Sequence, residues 1–171
     1  MGDRGAMIGA APPSDTLEHR LWAALEEGAV GLLGLTRSGL HPEPAVVFVE
    51  RRRRRLWLAA LADSELVRSI GDGGAAIFTA QAPGLLASIG GGLTVEDDPR
   101  RLARLWSAQA QAWRPQGPHD PGLALLRLDC VDAEISLVDL GMRRIVWELA
   151  PTGAGRRRAP AVISPFQPTL H

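Results

Sequence analysis

Ala29-Val30-Gly31-Leu32-Leu33-Gly34-Leu35-Thr36, then Arg37-Ser38-Gly39, then Ala45-Val46-Val47-Phe48-Val49, then Arg51 to Arg55 and Leu56-Trp57-Leu58-Ala59-Ala60-Leu61: this stretch decides the fold. Two glycines inside the first apolar run disfavour helix, so 29–36 reads as a buried strand. Arg37-Ser38-Gly39 is turn chemistry. Residues 45–49 are rich in β-branched side chains, as a strand prefers. The run 56–61 makes a third strand, and short turns between successive strands predict an antiparallel meander.

Outward from that core the pattern continues. Asp15 with Glu18 three residues on forms a capping box, and Leu17, Leu21, Trp22 and Leu25 recur at helical spacing, predicting a helix over 16–27. Asp63-Ser64 opens a short helix from Glu65 to Ile70, stopped by Gly71. Strands are predicted at 75–80 and 85–95, the second interrupted by Gly90-Gly91-Gly92. That triplet reads as a β-bulge or a close backbone approach, since it lacks the frame and following helix of a phosphate loop. Asp97 or Asp98 with Pro99 starts one long helix that places Trp106 and Trp113 on one face. Leu123 to Cys130 and Ala133 to Leu140 are the last apolar segments of the body, the second a strand, and 141–150 reads as either helix or strand. Residues 1–13 are expected to be disordered, 14–150 to form the domain, and 151–171 to be a Pro-, Gly- and Arg-rich tail.

Composition narrows the function. Nineteen basic residues, all Arg, balance nineteen acidic ones among 171 residues, and 46% of the chain is hydrophobic. A neutral chain argues against a surface built wholly for nucleic acid. The absence of Lys excludes Schiff-base chemistry and a Walker lysine. The single Cys130 excludes an internal disulfide and a multi-cysteine zinc site, and its apolar surroundings predict a buried, inert thiol. His19, His41, His119 and His171 show no metal-ligand spacing, so no metal site is expected. The five-arginine run 51–55 and the run 156–158 read as solvated charge rather than as a nucleic-acid site, having no basic helix or interleaved aromatics. No apolar run is long enough to span a bilayer and no signal-peptide pattern opens the chain, which predicts a cytoplasmic protein. No residue stands out as catalytic.

One further constellation is more specific. Leu105-Trp106, Trp113, Gly117-Pro118, Asp120-Pro121 and Leu125-Leu126-Arg127 follow one another after the helix opened by Asp98-Pro99. Together with Leu56-Trp57-Leu58 and the Ser88 to Gly91 frame, this order resembles the general-stress-protein branch of the pyridoxamine 5′-phosphate oxidase-like superfamily, over about residues 14–137. The resemblance implies a mainly β fold with flanking helices, an antiparallel split β-barrel, usually a homodimer with flavin mononucleotide (FMN) at the subunit interface. It implies flavin-dependent redox on a small molecule, with Ser64 and Ser88 as cofactor-binding positions. The family's phosphate cations, however, fall on Glu43 (in Glu43-Pro44-Ala45), Glu65 and Leu66, and its late aromatic pair on Ile135-Ser136. Two carboxylates beside a phosphate dianion predict weak flavin binding, unless Arg37 or Arg68 supplies a cation instead. The alternative is a non-catalytic dimeric barrel, a stress or binding protein without tight flavin.

Overall fold

Alternation of large apolar and small or polar side chains along each strand gives a sheet with one continuous apolar face, and such a sheet buries that face by curling onto itself. The computed structural model describes residues 14–27, 30–137 and 143–148; the predicted disordered N-terminus, the tail and the arginine run 156–158 lie outside the described residues. Helix α1 (Ser14–Glu26) leads into strands β1 (Val30–Leu35), β2 (Glu43–Glu50) and β3 (Arg55–Leu61). Helix α2 (Glu65–Ser69) follows, then β4 (Gly74–Ala82) and β5 (Leu85–Glu96). Short helices α3 (Pro99–Leu105) and α4 (Ala108–Trp113) precede β6 (Leu123–Leu137) and β7 (Arg143–Glu148).

Every strand pairing is antiparallel, in the order β3-β2-β1-β4-β5-β6-β7. A further ladder, Arg55↔Asp129 to Leu61↔Leu123, joins β3 to β6 and closes β1 to β6 into a six-stranded barrel. The 15-residue β6 makes the barrel split: its first half pairs with β3, while its second half, from Asp132, leaves β3 and carries β7. The predicted mainly β split barrel is the fold observed.

Leu33, Val47, Leu58, Phe78, Ile89 and Leu126 fill the barrel interior, and α1 adds Leu17, Leu21, Trp22 and Leu25 to the same cluster. Each such side chain contributes roughly 1.5–3 kcal/mol by leaving water. A second cluster lies outside the barrel, where Val46, Phe48, Trp57, Ala59 and Leu125 are covered by Leu102 and Ala110 of α3 and α4. Among the described residues the outer face of β1 and β4 has no such cover: Val30, Leu32 and Ile77 are 39, 48 and 42% exposed.

Three expectations are corrected. The single long helix is two. Trp106 is extended (ψ 128°), and the Ser107 hydroxyl accepts from the Ala110 amide to start α4 afresh. Leu105, Trp106 and Trp113 nonetheless all pack against the second cluster. The two late apolar segments are one strand as far as Leu137, because the paired ladder to β5 runs through 129–133 with only a bulge between them; residues 138–140 lie outside the described residues. Finally, the arginine run is not simply solvated. Residues 51–53 form a 3₁₀ turn closed by Arg54 in the left-handed region (φ 49°). Arg51 donates to His19 Nδ1 at 2.8 Å and Arg54 meets Glu18 at 3.3 Å, tying the β2–β3 turn to α1. Arg55 binds Asp129 at 2.7 Å and Glu50 at 3.5 Å, tying β3 to β6.

The predicted bulge falls at the glycine triplet. The register steps from Gly90↔Asp132 to Gly91↔Cys130, leaving Val131 unpaired and 60% exposed. A Cβ on Gly91 would run into the Asp129 carbonyl, so the strands approach there only with glycine.

Candidate ligand site

Two short motifs far apart in sequence meet at one end of the barrel. Glu43 opens β2, and residues 64–66 follow the end of β3. The Leu66 amide donates to Glu43 Oε1 at 3.3 Å, across 23 residues of chain. Ser64, extended at φ −68° and ψ 151°, caps α2 by accepting from the Val67 amide at 3.1 Å. A carboxylate at this turn is favourable because the first amides of α2 have no intrahelical acceptor. The Leu66 side chain points the other way and is fully buried with the barrel core, whereas Glu65 is exposed.

The neighbouring loop is fixed by Asp120. Its carboxylate accepts from the Gly122 amide at 2.8 Å and from Arg114 Nε at 2.7 Å, and the Gly122 carbonyl accepts from the Ala62 amide beside α2. The Gly122 amide and then the Arg114 guanidinium hold the Asp120 carboxyl below its ordinary range. The Gly-Pro-x-Asp-Pro pattern of the sequence is thus a strut under this end of the barrel.

The other predicted positions are more scattered. Arg37 sits in the exposed β1–β2 turn at φ 62°, and Arg68 is exposed in the last turn of α2. Ser88 is partly buried on the outward side of β5, between the interior residues Ala87 and Ile89. Register links it to the Glu43 end: Ser88 pairs with Thr79, Thr79 with Leu32, and Leu32 with Pro44. Three strand spacings make that about 14 Å. The exposed Leu32 lies midway on this row, with Ile77 and Val30 beside it.

A separate cleft, which sequence reasoning did not reach, has a volume of about 640 Å³ and lies where the glycine triplet meets the bulge. Thr36, Ile77, Gly91, Thr94, Asp129 and Asp132 are among its walls. The triplet was the legible signal for it, but the two aspartates arrive from β6 through the barrel register. Cys130, next to the bulge, is partly buried, and burial pushes its thiol up to about 12, in keeping with the inert thiol expected. Among the described residues there is no cluster of three or more metal-ligating side chains, and no helix long and apolar enough to cross a membrane.

A flavin phosphate does not fit the donor set at Glu43. The Leu66 amide is engaged by a carboxylate, the Ser64 oxygen already serves the Val67 amide, and position 66 turns a leucine into the core. The cleft at the bulge is no better suited, since the charged side chains on its walls are Asp129 and Asp132.

A closed antiparallel barrel split by one long strand, with helices on one side and a face on the other that the described residues leave exposed, defines a split-barrel protein. The chain belongs to the pyridoxamine 5′-phosphate oxidase like family, whose model matches residues 16–146. Among solved structures it is similar to the general stress FMN/FAD binding protein of Xanthomonas citri, with 29% identity, a TM-score of 0.61, and coverage of 85% of this chain and 99% of that one. At lower identity the fold alone is shared. A protein related to general stress protein 26 from Clostridium acetobutylicum is 11% identical, with a TM-score of 0.64, covering 80% of this chain and 97% of that one. A pyridoxamine 5′-phosphate oxidase-related, FMN binding protein from Nostoc punctiforme is 16% identical, with a TM-score of 0.59, covering 92% and 100%. Among curated proteins none matches.

Proposed function

We propose that this chain is a cytoplasmic, homodimeric split-barrel protein that binds a flavin at the subunit interface and holds it loosely. The observation that carries this reading is the outer face of β1 and β4, left uncovered by the described residues, where Val30, Leu32 and Ile77 form an exposed apolar belt between the Glu43–Ser64 end and Ser88. Such a belt is stabilised by a second subunit or by a flat apolar ring laid against it. The Xanthomonas citri relative, described as an FMN/FAD binding protein, supports the choice of ring.

In this reading the flavin supplies the redox chemistry, acting on a small molecule, and the protein's part is to bind and orient it. Ser64 and Ser88 are the polar positions at the two ends of the belt, and Arg37 and Arg68 are peripheral. Static light scattering combined with titration of flavin fluorescence tests the proposal. A dimer at micromolar concentration that quenches flavin with a dissociation constant of about 10 μM or weaker for FMN is the expected result. A monomer that quenches no flavin would overturn it.

A further inference from the structure

We infer that the end of the ligand facing Glu43 carries no phosphate, so that this barrel prefers a flavin ending in free hydroxyls, of the riboflavin type, over FMN. The inference rests on the flavin reading above and narrows it. Its basis is the contact between Glu43 Oε1 and the Leu66 amide. The Leu66 amide, one of the first amides of α2, is already held by the chain's own carboxylate and is not open to a phosphate. The charges add to the effect: Glu65 is exposed at the adjacent position, and a flavin phosphate carries nearly two negative charges.

No compensating cation can come from position 66, because the Leu66 side chain is fully buried in the barrel interior. Ser64 has its oxygen committed as an acceptor, which leaves its own O–H as a donor. A row of sugar hydroxyls suits this set. Hydroxyls donate to the Glu43 carboxylate and accept from the Ser64 O–H, whereas a phosphate dianion offers only acceptors to a carboxylate that can donate nothing.

The test uses the full-length protein and equilibrium dialysis with riboflavin and FMN side by side at physiological salt. The wild type is expected to bind riboflavin at least tenfold tighter than FMN. Glu43→Gln should narrow the gap to less than about threefold, and Glu43→Arg should reverse it. Equal or tighter binding of FMN by the wild type would overturn the inference and leave the flavin reading standing. Binding of neither flavin up to about 1 mM would overturn both. The wild-type comparison decides the matter by itself should either variant fail to fold.

Discussion

Three consecutive glycines in β5 are chemically identical and should respond to alanine in three different ways. At Gly91 an added Cβ runs into the Asp129 carbonyl oxygen, with the carbonyl carbon at 2.9 Å and the Cys130 Cα at 3.1 Å. All three atoms belong to the backbone of β6, so no side chain can rotate aside. Relief requires β5 and β6 to separate locally, which weakens the ladder that carries the bulge. Overpacking of this kind costs roughly 1–3 kcal/mol, and one or two weakened ladder bonds add about 1 kcal/mol each, so Gly91→Ala should destabilise by about 2–5 kcal/mol. At Gly90 the Cβ meets the Asp132 side chain, which can swing toward solvent, and a loss under about 1 kcal/mol is expected. At Gly92 nothing lies within 4 Å, and removing glycine's freedom from the unfolded chain should leave stability unchanged or raise it by about 0.5 kcal/mol. Urea denaturation followed by tryptophan fluorescence reads all three. With a slope of about 1–3 kcal/mol per molar, the Gly91→Ala midpoint should fall by about 1 M or more while that of Gly92→Ala stays put. Equal destabilisation at Gly91 and Gly92 would refute the bulge geometry.

Arg55→Ser should cost about 1 kcal/mol by removing the link between β3 and β6, while Arg53→Ser, whose side chain is 65% exposed, should cost less than about 0.3 kcal/mol; thermal melts compare them. The Cys130 thiol, raised to about 12, should react with iodoacetamide more than about 100-fold slower than free cysteine at pH 8 in the folded protein, and at the ordinary rate in urea. Because the Asp120 carboxyl is lowered on folding, its charged form stabilises the loop above the ordinary carboxylate pKa of about 4 and loses that effect as pH falls through the folded value. Asp120→Asn should therefore be less stable than wild type at pH 7, with the difference shrinking below about pH 4 in a series of melts; a constant difference would contradict this. Ser107→Ala should lose about 1 kcal/mol by uncapping α4, a change that a continuous helix would not feel, as urea denaturation would report.

Much of the fold was legible because it is local. Strand periodicity, the glycine turn after β1, the apolar spacing of α1 and the Ser64 cap of α2 depend on residues within a few positions of one another. The glycine triplet announced its bulge for the same reason, since no other side chain permits so close an approach. The helix break at Trp106-Ser107 was one exception: the helical periodicity of 102–113 is real, yet Trp106 is extended and the Ser107 hydroxyl caps a new helix.

The site was legible only as a set of positions. The sequence by itself determined that Glu43, Glu65 and Leu66 carry no cation at the positions where the resemblance implies phosphate-binding ones while Ser64 is kept, that no lysine is available, and that Cys130 is a lone thiol. Only the tertiary structure decided that Glu43 reaches the Leu66 amide, that Leu66 is spent on the core, that Arg55 finds Asp129, and that Ser88 stands on the same row as Pro44. The physical reason is closure. The β3–β6 ladder joins residues more than sixty positions apart, from Arg55↔Asp129 to Leu61↔Leu123, and a partner at that distance is chosen by the register of the whole barrel rather than by anything written beside it in the chain.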